Sequence, residues 1–182
     1  MDWDELNLIR SEAERFVNSR PTKKQIERFC DYLDFVLCLI YRYGWKDAEE
    51  IIGIAVEMGD LDDKAVNREV AGETFRERVE SLFTGGNPTA PDLLRIIDTE
   101  AHRDYNTGVF DAAVTSGVEG LKKRWNTRMD DRVRDPHAYM EGMTVGLNDE
   151  FYTYTGDSTL YPGGFGVPEL DCNCRCSISL ER

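Results

Sequence analysis

The hydrophobic period changes at Gly120, and that change constrains the fold more than any single motif. From residue 2 to about residue 117 apolar residues recur at helical spacing, cut by Gly and Pro; beyond Gly120 the period fades and glycines and aromatics rise. Leu6, Ile9, Ala13, Phe16 and Val17 predict a first helix, with Asp2 or Asp4 as its cap. Thr22 and Gln25 form a capping-box pattern ahead of Ile26, Phe29, Cys30, Leu33, Val36, Leu37 and Ile40, the most apolar segment, with Gly44 as its stop. Asp47 and Glu50 predict a short third helix ending at Gly59. Asp62 or Asp63 is the expected cap of a fourth, carrying Val66, Val70, Phe75, Val79 and Leu82 up to Gly85. Pro91 opens a fifth, whose Leu93, Leu94, Ile97, Ala101, Tyr105, Val109 and Ala112 run toward Gly117, with a bend allowed at Gly108. Residues 151–166, F-Y-T-Y-T-G-D-S-T-L-Y-P-G-G-F-G, read as strand, turn and loop. The expected class is α+β: an N-terminal helical lobe followed by a small, irregular β-rich C-terminal lobe, divided as 1–60, 61–120 and 121–182.

Charge narrows the function. A net charge of −13 and a pI near 4.6 argue against a general nucleic-acid clamp, because phosphate affinity comes from concentrated Lys and Arg. Any DNA contact is local, and Lys122, Lys123, Arg124, Arg128, Arg132 and Arg134 form the basic cluster that can make it. No apolar run approaches the roughly 20 residues that span a bilayer, and the acidic start M-D-W-D-E is unlike a secretory leader, so no membrane role and no Sec-type export are expected. Cys30 and Cys38 fall in an apolar helical pattern, while Cys172, Cys174 and Cys176 crowd at the end; five cysteines do not suggest a disulfide scaffold.

The stretch from Arg124 to Gly142 joins charge, an aromatic and a histidine without a clean period. A short strand is predicted between Leu121 and Met129 with Trp125 on its buried side. A short helix then starts with Asp135 as cap and Pro136 in its first turn, placing His137, Tyr139 and Met140 on one turn ahead of Gly142. His137 with Cys174 and Cys176, and with Cys172 as a further donor, can supply imidazole and thiolate ligands to a tetrahedral zinc ion; the alternative is buried thiols that anchor the last strand. Asp131, Asp135, Glu141 and His137 can instead be read as an acid–base or metal-dependent hydrolytic group. The plainer reading there is a polar network, with Arg132 or Arg134 paired to Asp131 or Glu141 and His137 donating to a backbone carbonyl. No nucleophile elbow, zinc-protease, Walker or dinucleotide signature occurs. On the fifth helix Glu100, Arg103 and Asn106 or Thr107 share a side, with Glu100 and Arg103 an i,i+3 pair, as a partner face or as a seam to the C-terminal sheet.

Taken in order, T-E-A-H-R-D-Y-N-T-G, K-R-W, D-D-R-V-R-D-P-H, E-G, F-Y-T-Y, Y-P-G-G-F and N-C-R-C resemble the phage Mu protein F-like minor head family, also called phage head morphogenesis protein. The resemblance runs from about Val66 to the C-terminus; the first sixty residues show only a compatible helical pattern. Its motif positions are Glu100, Arg103, Asn106, Trp125, Asp131, Arg134, His137, Gly142, Asn173, Cys174, Arg175 and Cys176. Many relatives carry a C-x-x-C pair where this chain has Arg134 and His137. The resemblance implies a structural virion protein of a tailed phage or prophage, made in the bacterial cytoplasm and built into the head near the portal. Expected partners are the portal and other head proteins, with packaged double-stranded DNA touched locally. No catalytic role and no cofactor come with it. The family also supplies leading domains to bacterial toxins in which an enzymatic domain follows, and the six residues after Cys176 leave no room for one here. A toxin-delivery module and a small metal-dependent enzyme are the readings from other classes.

Overall fold

A computed structural model describes residues 4–59 and 69–182. The protein is α+β, helices first and a small antiparallel sheet after them. Helix α1 (Asp4–Asn18) and helix α2 (Lys23–Ile52) pack with α3 (Phe75–Thr84) and α4 (Ala90–Thr115). Strand β1 (Lys122–Asn126) is followed by helix α5 (Asp135–Tyr139), β2 (Thr144–Gly146), β3 (Phe151–Tyr152), β4 (Ser158–Thr159), helix α6 (Pro168–Asp171) and β5 (Ser177–Glu181). β1 is central in the order β2-β1-β5, antiparallel to both neighbours, and β3 pairs with β4 as a separate ribbon.

The caps explain where the helices begin. The Thr22 N–H donates to Gln25 Oε1 at 2.8 Å, and Gly53, at φ +80°, closes α2 thirty residues on. Helix α2 therefore does not stop at Gly44, and the Asp47–Glu50 pattern starts no new helix. Glu49 instead accepts from the Val56 N–H at 2.7 Å, and Trp45 Nε1 donates to the Val56 carbonyl at 3.2 Å. Gly44 serves packing. A Cβ there would lie 2.1 Å from the Tyr105 carbonyl oxygen, and a Cβ on Gly108 would lie 2.1 Å from that of Tyr41. Two glycines thus let α2 and α4 cross backbone to backbone, and Gly108 sits at this crossing within the continuous helix α4. Thr74 and Glu77 form the capping box that starts α3, later than Asp62 or Asp63 would place it. Those two aspartates, Asp2 and Val66 lie outside the described residues.

Two apolar clusters share the long helices. The first joins Leu6 and Ile9 of α1 and Leu33 and Leu37 of α2 to Phe75, Leu93 and Ile97. The second joins the far ends of the same helices, Trp45, Ile52, Val109 and Ala113, to Trp125, Phe151, Ile178 and Leu180. Among the described residues no helix is long and apolar enough to cross a membrane.

Candidate functional site

The seam between α4 and the sheet is built from side chains that a helix rarely buries. Glu100 is fully enclosed and held by two guanidiniums, Arg78 at 2.7 Å and Arg103, its i,i+3 neighbour. The paired charge makes that burial tolerable. Arg78 was not legible as a partner, because it comes from α3. Asn106 reaches farthest: its Nδ2 donates to the Cys176 carbonyl at 3.1 Å and its Oδ1 accepts from the Ile178 N–H at 3.0 Å. The amide thus treats the free edge of β5 as a neighbouring strand would. Two helical turns before Asn106, Thr99 Oγ1 accepts from the Asn173 N–H at 3.0 Å. Asp171, buried, accepts from the N–H groups of Phe165 and Gly166 at 3.1 and 2.6 Å, and burial pushes its carboxyl above the usual range.

Strand alternation sorts the basic residues. Trp125 and Lys123 point into the core while Lys122 and Arg124 point out, because successive side chains on β1 take opposite faces. Lys123 is therefore not available to DNA. Its ammonium lies 4.7 Å from the centre of the Phe110 ring and 5.4 Å from that of Phe151, and burial holds its pKa down at about 8. Arg128 and Arg132 are exposed, and Arg124 comes within 3.8 Å of Glu181 on the neighbouring strand β5.

Around α5 the assembled chemistry is thiol and imidazole, not carboxylate. Arg134 takes the cap position and donates to the Cys172 carbonyl, while Pro136 occupies the first turn. His137 and Met140 face inward and Tyr139 outward. Trp125 meets the His137 ring edge-on at 5.7 Å, and Phe165 stacks on it at 5.8 Å. His137 Nδ1 lies 3.7 Å from Cys174 Sγ and 3.6 Å from Cys176 Sγ. The Cys176 thiol beside it and burial drive the Cys174 thiol well above its ordinary pKa, while neighbouring Cys174 lowers that of Cys176. Cys172 does not join them. Asn173, at φ +56°, reverses the chain and breaks the alternation that brings Cys174 and Cys176 to one face.

The expected acid–base group is not assembled. Asp131 and Asp135 are exposed, and Glu141 accepts from the Thr127 N–H at 2.6 Å. The ion pair that does form joins Asp130 to both terminal nitrogens of Arg175, at 2.5 and 2.7 Å, and it depresses the Asp130 pKa to about 2. Gly142, at φ +73°, passes beneath the Arg124 guanidinium, which a Cβ would meet at 3.1 Å.

Residues 63–179 match the family described as phage Mu protein F like protein. The chain is 36% identical over 109 residues to an NAD(+)–arginine ADP-ribosyltransferase EFV of Enterococcus faecalis, covering 58% of this chain and 22% of that protein. It is 28% identical over 81 residues to minor head protein GP7 of Bacillus phage SPP1, covering 44% of this chain and 26% of that one. The chain thus spans about a quarter of the length of these relatives. No solved structure gives a significant match.

Proposed function

We propose, from the premise that this chain belongs to the phage Mu protein F-like family, that it is a minor head protein of a tailed phage or prophage, a structural virion component acting in head morphogenesis. The observation that carries the reading is the family match over residues 63–179, which takes in the whole α4–sheet seam. The similarity to a minor head protein points the same way. We further assign it a place at the portal vertex, with the exposed Lys122, Arg124 and Arg128 facing packaged DNA and the acidic helices facing protein. At a net charge of −13 such contact must be local.

Composition of purified heads tests this. The protein should co-purify with heads and fall away when portal is omitted. Lys122→Glu with Arg128→Glu should keep fold and incorporation, since exposed charges add little stability, yet weaken DNA binding and flatten its salt dependence. A folded protein that never enters heads would sink the reading. The similarity to an ADP-ribosyltransferase favours a second reading, in which the same fold serves as the non-catalytic leading module of a toxin. Purified chain given NAD and an arginine-rich acceptor should transfer no ADP-ribose; transfer would reject both readings.

A further inference from the structure

We propose that Nδ1 of His137 and the sulfurs of Cys174 and Cys176 bind one zinc ion, leaving the fourth position to water. The inference does not depend on the head-protein reading. Geometry carries it. Zinc holds thiolate sulfur at about 2.3 Å and imidazole nitrogen at about 2.0–2.1 Å, so a tetrahedral angle sets each S···N edge near 3.6 Å. The observed separations are 3.6 and 3.7 Å. All three donor atoms lie within 4.8 Å of one another, which includes the sulfur pair. A cavity of about 10 Å³ lies against all three residues, room for one ion or one water and nothing larger.

Hydrogen bonding alone accounts for the arrangement less well. Neutral imidazole offers one lone pair at Nδ1, and two sulfurs converge on it. An ion satisfies all three donors at once. Two thiolates neutralise a divalent cation, so the buried group carries no net charge, and the positive charge of Arg134, which lines the same cavity, favours the thiolates. Sulfur ligands select a soft or borderline metal over magnesium or calcium. The fold supplies the donors in a fixed relation: α5 holds His137 between Trp125 and Phe165, and the chain leading into β5 turns both thiols to one face. His137 Nε2 finds no partner among the described residues with or without a metal, and it does not discriminate.

The test uses the untagged full-length chain, stripped by a chelator and titrated with zinc or cobalt(II). One equivalent of zinc should bind and raise the melting temperature. Cobalt(II) should give thiolate charge-transfer bands and the intense visible bands of a tetrahedral centre. Cys176→Ser should weaken binding by more than the roughly 10–100-fold that losing a mere supporting group costs, while Cys172→Ser should bind as wild type. If Cys176→Ser does not fold, the wild-type cobalt spectrum and the Cys172→Ser titration decide. Folded protein that takes up no zinc, a cobalt complex without thiolate bands, or loss of binding in Cys172→Ser would each overturn the site.

Discussion

Gly44 and Gly108 face each other across the α2–α4 crossing, each with the space for its missing Cβ taken by a carbonyl oxygen of the other helix, at 2.1 Å. The helices approach closely because neither has a side chain there. The contact is reciprocal and backbone to backbone, so it has little room to adjust.

Gly108→Ala should therefore destabilise despite the roughly 1 kcal/mol that alanine gains as a helix former. Overpacking against backbone costs about 1–3 kcal/mol or more, and a loss of at least about 1 kcal/mol should appear in the denaturant midpoint. Combining it with Gly44→Ala should cost less than the sum, because helices already pushed apart accept the second methyl more easily. A stabilised single variant would mean that the helices separate freely.

Asn106 should prove to be the main tie between α4 and the sheet. Asn106→Ala leaves the Ile178 N–H without its acceptor and should cost about 1–3 kcal/mol. Asn106→Asp is the sharper variant: it puts acceptor oxygen where Nδ2 now donates to the His102 and Cys176 carbonyls. Its buried carboxyl should prefer the protonated form, raising the folded pKa, so stability should be greatest in acid and fall as pH rises. Equal unfolding midpoints at pH 4 and pH 7, on the order of neutral behaviour for this variant, would rule that out.

Lys123 predicts an opposite trend in the wild type. Its pKa falls from an ordinary 10.5 to about 8 on folding, so between those values the unfolded chain holds a proton that the folded chain has released. Stability contributed by this residue should rise with pH through that window and be lost as pH falls through about 8. Lys123→Met should flatten the rise and stabilise at pH 7 by on the order of 1 kcal/mol. Lys123→Glu should unfold the lobe, whereas Lys122→Glu should be silent. Matching pH profiles of wild type and Lys123→Met by chemical denaturation would contradict the assignment.

Local chemistry was legible in the sequence, and long-range geometry was not. The Thr22–Gln25 box, Pro91 and Pro136 placed three helix starts, because a cap is set by residues within four positions of it. The Thr74–Glu77 box was equally visible, yet a run of aspartates upstream competed with it. Gly44 looked like a stop because a glycine in a helix weakens it unless a second helix needs the space, and Gly108 lies 64 positions on. Lys123 looked exposed because its neighbours are basic; the period-two pattern set by Trp125 carried the correct side. The His137–Cys174–Cys176 cluster was visible as residue types, but only Asn173 in its left-handed conformation separates Cys172 from it.

Helix α2 lines both apolar clusters, yet it lies wholly ahead of residue 63, where the family match begins. In this protein the matched stretch therefore leans on a helix outside it: without α2, the crossing face of α4, with Gly108 at its centre, would be bare. Any other helix laid across α4 at this point would need a notch of its own opposite that glycine. The closest approach of the two long helices is thus set by a pair of missing side chains, one on each side of that boundary.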